Sequence, residues 1–303
     1  MVIAQLTVSQ RLPRLVALML TFSLGAVTLC ACTQLSFAVA NLPAHRGSFE
    51  RHSGVHYATG PRGELDVYAP NGAKSLPVIV FFYGGSWQHG SRKQYRFVGA
   101  ALAEAGYVVV LPDYRLYPEV RFPEFNADAA RAVVWAHQHA AEIGGDATKL
   151  FIMGHSAGAH IAASVALDSR YLLNAGGQMA WIRGLIGLSG PYVLKPNTLA
   201  LKEIFAAPYA PADWQLQNFV TTASPAALLV HGGKDDLVSP ANSEELTRVL
   251  REHGVAAQLW LVPNRGHADI LGALSVPARR RARTLDYVKA FVDARCAQID
   301  LAK

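Results

Sequence analysis

Three polar residues in the second half of the chain have the side-chain types and the order that nucleophilic catalysis requires. Ser156 lies within the sequence Gly-His-Ser-Ala-Gly at positions 154–158, Asp235 follows in a pair of aspartates, and His267 comes last. A serine hydroxyl becomes a strong nucleophile when a histidine takes its proton and a carboxylate orients that histidine. This combination predicts acyl transfer through a covalent acyl-serine.

The carboxylate of this set stands in the segment 231–240, where two aspartates are adjacent. We assign Asp235 as the residue that accepts a hydrogen bond from His267, and Asp236 is the alternative. The other aspartate is expected to cap the helix that follows or to face solvent. His231 ends the preceding predicted strand, so a structural role is expected for it.

A strand and a helix must hold Ser156 in place. The apolar run Leu150–Met153 predicts a buried strand, and Ala159–Leu167 predicts a helix. The tight turn between them would expose the hydroxyl, and glycines would flank it because the neighbouring backbones approach closely. A glycine turn with a serine that merely caps the helix is the alternative, and the aspartate and histidine that follow favour the nucleophile.

A second glycine-rich turn can stabilise the negative charge that develops on a substrate oxygen. Gly84 and Gly85 follow the predicted strand 78–82, where their backbone N–H groups would form an oxyanion hole. The N–H of Ala157, directly after the serine, is expected to be the third donor. Trp87 is a candidate wall of the substrate pocket, although it could equally serve in packing.

The wider pattern alternates strands and helices, which predicts an α/β fold with a mostly parallel central sheet and helices on both faces. We expect one domain over residues 49–303, with the candidate site beyond the carboxyl ends of the strands. The proline-containing segment 191–225 is expected to form a small cap over the site. A surface excursion packed by its own side chains is the alternative.

Composition sets further limits. The 303 residues are 51% hydrophobic and 17% charged, so the chain can bury a substantial core and is not disordered. The formal net charge of +6 is mild, and we expect no nucleic-acid partner. The basic run 279–283 falls in a predicted closing helix, 278–297, where a solvated face is the first interpretation. Contact with an anionic membrane or partner is the alternative.

The amino terminus has the pattern of an export signal. Arg11 and Arg14 precede the apolar segment 15–31, which ends in Leu-Cys-Ala-Cys and resembles the lipobox of bacterial lipoproteins. This predicts a removed segment 1–31, lipidation of Cys32 and a linker 32–48. Cleavage after Ala40 and an uncleaved anchor are the alternatives. Each route exports the domain to the cell envelope, lipid-anchored in the first case and otherwise periplasmic, secreted or held by the signal anchor.

Several stretches together resemble a known family. They are Tyr83–Trp87, Asp113–Pro118, Gly154–Gly158, Ser189–Tyr192, the Asp235 loop and Gly266–His267. The chain resembles an α/β-hydrolase of the esterase group that includes feruloyl-esterase-like, acetyl-xylan-esterase-like and kynurenine-formamidase-like proteins. The resemblance spans about residues 64–295. The sequence departs from it at Tyr83, where the family usually has histidine, and at Val193, where aspartate is common.

The resemblance implies a serine hydrolase of carboxylic esters with small or aromatic groups, and no metal or organic cofactor is expected. An amidase of the aryl-formamidase type is the alternative on the same fold. A non-catalytic envelope lipoprotein is the alternative from another class. The expected partners are a small-molecule ester and, through the amino terminus, a membrane. The sequence leaves the oligomeric state open.

Overall fold

The computed structural model describes residues 35–45 and 47–301. The predicted signal segment 1–31 and Cys32 lie outside the described residues. Within the described ranges, no helix is long and apolar enough to cross a bilayer. Residues 35–41 are helical, and the first strand begins at Phe49.

One eight-stranded sheet forms the centre of the molecule, in the order β1-β2-β4-β3-β5-β6-β7-β8. The strands are β1 Phe49–His56, β2 Glu64–Pro70, β3 Leu76–Phe82, β4 Val108–Pro112, β5 Gly145–His155, β6 Ile182–Leu188, β7 Ala227–Gly232 and β8 Ala257–Val262. β1 pairs with β2 and β2 with β4 in antiparallel fashion, and all later neighbours are parallel. The inner strands are continuous apolar runs because helices cover both of their faces.

The helices form two groups on the sheet. They are α1 Arg96–Glu104, α2 Glu124–Gln138, α3 Ala157–Leu167, α4 Ser169–Asn174, α5 Leu199–Ile204, α6 Pro211–Trp214, α7 Ala241–Glu252, α8 His267–Gly272 and α9 Thr284–Leu301. α2, α3 and α4 pack on one another, and α3 and α7 both contact the 3-10 segment Leu216–Phe219. α1 packs on β2 and β4, and α9 packs on β5, β6 and β7. The predicted α/β architecture is therefore correct.

Two predicted helix boundaries differ from the structure. The pattern of residues 123–143 predicts one long amphipathic helix, but α2 ends at Gln138. There the ring of His139 stacks on Trp135, and its Nδ1 lies 2.9 Å from the Trp135 carbonyl oxygen. The same carbonyl oxygen accepts the His139 backbone N–H at 3.0 Å, so the ring of His139 folds back over the last turn of the helix. β5 then begins at Gly145, earlier than its apolar run, because Gly145 pairs with Leu76 of β3.

The predicted closing helix 278–297 is also divided. A 3-10 segment occupies Val276–Arg281, Ala282 is extended, and α9 begins at Thr284. The Thr284 hydroxyl donates to the carbonyl oxygen of Ile270 at 2.8 Å, a tertiary contact that the local sequence does not encode. The basic run therefore lies ahead of the last helix and not along its face.

The segment 191–225 holds α5, α6 and the 3-10 turn Leu216–Phe219. Phe205 and Trp214 of this segment are buried against the domain. Phe205 contacts Trp87 from the glycine turn after β3, with ring centroids 4.9 Å apart. The segment therefore packs next to the turn expected to hold the oxyanion, and its function as a cap stays a prediction.

Candidate active site

Ser156 occupies a strained turn between β5 and α3. Its φ of 55° and ψ of −125° lie outside the regions that L-residues favour. The turn needs its glycines, because a Cβ on Gly154 would lie 2.1 Å from the Gly158 carbonyl oxygen and one on Gly158 would lie 2.2 Å from that of Phe82. The Ser156 N–H donates to Leu188 at the end of β6 at 2.9 Å, which fixes the turn to the sheet.

Asp235 and His267 follow the carboxyl ends of the neighbouring parallel strands β7 and β8 and meet at the same edge of the sheet. Nδ1 of His267 lies 2.7 Å from Oδ2 of Asp235, whose side chain is fully buried. His267 is the first residue of α8, whereas the sequence placed it in a loop. The adjacent Asp236 is exposed and lines the cavity described below, so the geometry pairs His267 with Asp235.

Asp235 is held in its charged form by several donors. The backbone N–H groups of Leu237 and Val238 donate to Oδ1 at 3.1 and 2.8 Å. Burial alone would raise the pKa of Asp235, but the hydrogen bonds from His231, His267 and the Val238 amide outweigh it and hold the pKa below its usual range. The group therefore remains a carboxylate at neutral pH.

His231 is a supporting residue whose contact with the acid the sequence did not reveal. Its fully buried Nε2 lies 3.1 Å from Oδ2 of Asp235 and 2.9 Å from the carbonyl oxygen of Val238. Both neighbours accept, so Nε2 carries the proton and Nδ1 accepts from the Ser243 hydroxyl at 2.7 Å. The sequence signal was only a histidine at a strand end, four residues before the aspartate.

His155 connects the serine turn to the His267 loop. Its Nε2 lies 3.3 Å from the His267 carbonyl oxygen, and the two rings are 4.8 Å apart. Burial, together with the nearby His267, lowers the pKa of His155 to about 3, so it stays neutral. His267 therefore lies beside His155, the residue that precedes Ser156. Because His155 is neutral, it places no positive charge next to His267.

The oxyanion turn follows β3 and lies against the serine turn. A Cβ on Gly84 would stand 2.9 Å from the Cβ of Ser156, and Gly85 has a φ of 131° that suits glycine. Among the described residues, no backbone acceptor is recorded for the N–H groups of Gly84, Gly85 or Ala157. The oxyanion hole expected from Gly84, Gly85 and Ala157 stays a prediction, and its glycine turn lies against the serine turn.

Tyr83, which stands where the family usually has histidine, is anchored by buried hydrogen bonds. Its hydroxyl donates to Oδ1 of Asp113 at 2.9 Å and accepts from Arg62 at 3.1 Å. Its ring stacks on Tyr114, whose own hydroxyl donates to the Tyr83 carbonyl oxygen at 2.6 Å. Burial raises the pKa of Tyr83 well above its usual value, so the hydroxyl keeps its proton.

Asp113 ties this support to a buried ion network. Arg92 pairs with Asp113, with Asp66 and with Glu64. The Arg92 backbone N–H also donates to Asp113 at 2.8 Å. The Asp113–Pro118 stretch, noted first as a resemblance, thus positions the base of the oxyanion turn.

A cavity of about 600 Å³ opens at Ser156. Its walls come from the two catalytic turns, from the start of the 191–225 segment and from the Asp236 loop: Ser86, Trp87, Gln88, Ser156, Ala157, Pro191, Val193, Leu194, Lys195, Asn197, Thr198, Leu201, Asp236, Leu237, Val238, Ser239 and Asn242. The volume is in the range of small-molecule sites. At Val193, where the family often has aspartate, the backbone N–H donates to Asn242 at 2.8 Å.

Trp87 reaches this cavity but is mainly a packing residue. It is only 2% exposed and contacts Phe125, His160 and Phe205. This aromatic cluster closes the interior behind the serine turn. In the described ranges, no three histidine, cysteine, aspartate or glutamate side chains are grouped to hold a metal ion.

Comparisons with known proteins indicate the family of the chain. The prolyl oligopeptidase family model matches residues 127–296, and the BD-FAE model matches residues 65–182. A probable isoprenylcysteine alpha-carbonyl methylesterase of Oryza sativa subsp. japonica is 30% identical over 71% of this chain and 58% of its own length. Kynurenine formamidase of Danio rerio is 28% identical over 73% of this chain and 75% of its own.

The fold has close counterparts among solved structures. Esterase B from Lactobacillus rhamnosis superposes with a TM-score of 0.78 at 19% identity, covering 94% of this chain and 99% of that one. At this identity the likeness shows the fold, and the chain spans a little over half the length of the rice protein, at 58%. The family model covers more than half of the chain, so the protein belongs to the prolyl oligopeptidase family and, like the esterases it matches, to the α/β-hydrolase superfamily.

Proposed function

We propose that the protein is a serine hydrolase that cleaves carboxylic esters with Ser156, His267 and Asp235. The observation that carries the proposal is the 2.7 Å contact between His267 Nδ1 and the buried Asp235. The His267 carbonyl oxygen also lies 3.3 Å from Nε2 of His155, the residue before Ser156. With Nδ1 so engaged, Nε2 is the nitrogen that can take the serine proton. The esterases among the relatives support this reaction class.

The proposed ester hydrolysis uses Ser156, His267 and the oxyanion turn in two stages. Ser156 Oγ attacks the ester carbonyl while His267 Nε2 takes its proton, and the N–H groups of the oxyanion turn stabilise the negative oxygen. The C–O bond breaks, and the imidazolium returns the proton to the departing alcohol. Water then attacks the acyl-serine with His267 again as base, which releases the carboxylic acid and restores Ser156 Oγ–H.

The proposed substrates carry small acyl groups. The rings of Trp87, Phe125 and Phe205 pack against one another behind the serine turn, edge to face where Phe205 meets the other two. A longer acyl chain would therefore meet a filled interior on that side. An open wall would favour long chains instead, by roughly 0.8 kcal/mol per buried methylene. The cluster supports a preference for acetyl to butyryl esters.

A panel of p-nitrophenyl esters from acetyl to decanoyl tests both the nucleophile and the preference for small acyl groups. We expect kcat/KM to peak between acetyl and butyryl, fall steeply beyond hexanoyl, and drop by about 10⁴-fold in Ser156→Ala. A phosphonate probe should label Ser156 in the wild type and leave the variant unlabelled. A maximum at decanoyl would refute the small acyl pocket, and label on another serine would refute the nucleophile.

Formamide hydrolysis is the second candidate, favoured by the match to the zebrafish kynurenine formamidase. The same three residues can serve an amide, because His267 would protonate the leaving nitrogen as it would an alkoxide. Measuring kcat/KM on N-formyl aryl amides and on matched aryl formate esters distinguishes amidase from esterase activity. A higher kcat/KM on the amide would replace the esterase proposal.

We also propose export with a lipid anchor at Cys32, on the strength of the apolar segment and its Leu-Cys-Ala-Cys end. Acyl chains on this cysteine would hold the mature protein at the membrane. Cys32→Ser should then remain unlipidated and leave the membrane fraction or stay unprocessed. An unmodified amino terminus at Asn41, read by mass spectrometry of the wild type, would instead show cleavage after Ala40.

A further inference from the structure

Five arginines lie together on the side of the molecule formed by the loop after β8 and the 3-10 segment before α9. With Pro263 and Tyr287 they help to line a cavity of about 390 Å³, away from Ser156. We call them the arginine face: Arg265, Arg279, Arg280, Arg281 and Arg283. A cavity with this lining is suited to the phosphate groups of an anionic ligand, since guanidinium binds phosphate oxygens bidentately.

The charge of this face is not neutralised by its neighbours. The salt bridges of the described residues pair Arg281 with Asp269 at 3.0 Å, Arg283 with Asp286 at 3.0 Å and Arg279 with Glu104 at 4.0 Å. Three carboxylates thus face five guanidinium groups, which leaves an excess of positive charge. An anionic surface would complement it.

Exposed apolar side chains border the same face. Trp260 is 46% exposed and stacks on Tyr287 with ring centroids 4.5 Å apart. Val276, at the start of the 3-10 segment, is also exposed. Aromatic rings with a polar tip favour the boundary between lipid headgroups and acyl chains.

The path of the chain brings the amino terminus to this face. Ala40, Pro43 and Ala44 lie with Val276 and Arg279 around one small cavity. Cys32 is eight residues before Ala40, and residues 35–41 are helical, so about 20 Å separates them at most. If Cys32 carries lipid as proposed above, the bilayer surface must lie near the arginine face.

We propose that the arginine face docks the protein on an anionic lipid bilayer. The guanidinium groups bind lipid phosphates, Trp260 enters the headgroup boundary, and the Cys32 lipid holds the chain beside them. The carboxyl ends of the strands, where Ser156 lies, are positioned by this contact relative to the membrane. The contact itself requires no step of ester hydrolysis.

Vesicle binding of the full chain tests the proposal. Wild type and Arg279→Gln/Arg280→Gln/Arg283→Gln are compared on phosphatidylcholine vesicles with and without about 30 mol% phosphatidylglycerol, because the anionic surface drives the effect. Arg281 is kept, because its partner Asp269 also accepts the Gly266 N–H beside His267. The control Arg131→Gln/Arg170→Gln/Arg248→Gln removes three ion-paired arginines from the α2, α4 and α7 side.

We expect the wild type and the control to prefer anionic vesicles and the arginine-face variant to lose at least about ten-fold of that preference. Cys32→Ser should lower binding to both vesicle types and keep the ratio between them. No preference in the wild type, or equal losses in both triple variants, would overturn the proposal. Hydrolysis of a soluble ester should stay unchanged in the arginine-face variant, so a failed docking result leaves the proposed activity standing.

Discussion

Two adjacent carboxylates, Asp235 and Asp236, differ in burial and in hydrogen bonding. Asp235 is buried and bonded to His267, whereas Asp236 is exposed at the cavity. We expect Asp235→Asn to lower kcat by about 10²–10⁴-fold, because the amide can impose the wrong imidazole tautomer. Asp236→Asn should change kcat by only a small factor. Steady-state kinetics of the two variants check this, and the opposite ranking would assign the acid to Asp236.

His231 gives a prediction of its own, since it acts on the reaction only through Asp235. Replacing it with leucine removes the donor to Oδ2 and leaves the carboxylate less well held. We expect kcat to fall by roughly ten-fold with KM little changed, and the pKa of the acidic limb of kcat to shift. The readout is the pH profile of His231→Leu beside that of Ser243→Ala, which removes only the hydroxyl on the far nitrogen. A variant that loses stability but keeps the wild-type profile would make His231 merely structural.

Tyr83 anchors the glycine turn after β3, and its contacts together hold the whole turn in place. The Tyr83 hydroxyl bridges Asp113 and Arg62, both charged, in a buried position. Tyr83→Phe should lower the free energy of unfolding by about 1.5–3 kcal/mol and reduce kcat/KM, because the oxyanion turn loses its support. Tyr95→Phe is the matched control, since that hydroxyl donates to a neutral acceptor, the Gly84 carbonyl oxygen, at 3.3 Å. Denaturant unfolding and kinetics of both variants measure the difference, and equal effects would contradict it.

At the scale of the whole molecule, buried neutral histidines make stability depend on pH. Burial lowers the pKa of His155 to about 3 and that of His160 to about 4. The unfolded chain binds protons near pH 6.5 and the folded one does not, so stability is full above that pH and is lost as pH falls toward the folded values. Asp235, with its lowered pKa, adds a further loss only below about pH 4.

The expected size of this effect is about 2 kcal/mol per histidine between pH 7.5 and pH 5. Urea unfolding at both pH values measures it. His160→Gln should remove roughly half of the difference between the two pH values, whatever it does to stability at pH 7.5. His52→Gln is the control, because the His52 side chain is 62% exposed and should leave the difference as it is. A wild type equally stable at both pH values would contradict the prediction.

The sequence by itself was enough for the architecture and for the set of candidate catalytic residues. The strand–turn–helix around Ser156 is encoded locally, since close backbones require glycine at 154 and 158. The alternation of apolar runs and helical patterns implied the parallel sheet, because buried parallel strands need apolar residues on both faces. His267 and the aspartate pair stood out by their order after the serine and by their places after strands.

Tertiary contacts decided how the candidate catalytic residues are paired and supported, and where some helices end. Which aspartate meets His267, the support of Asp235 by His231 and the anchoring of Tyr83 on Asp113 each depend on residues brought together from separate segments. The same holds for the ends of helices, where the contact of Thr284 with Ile270 divided the predicted closing helix and set the basic run apart. The local periodicity of a sequence does not predict such contacts, because they form only when distant strands and helices have packed.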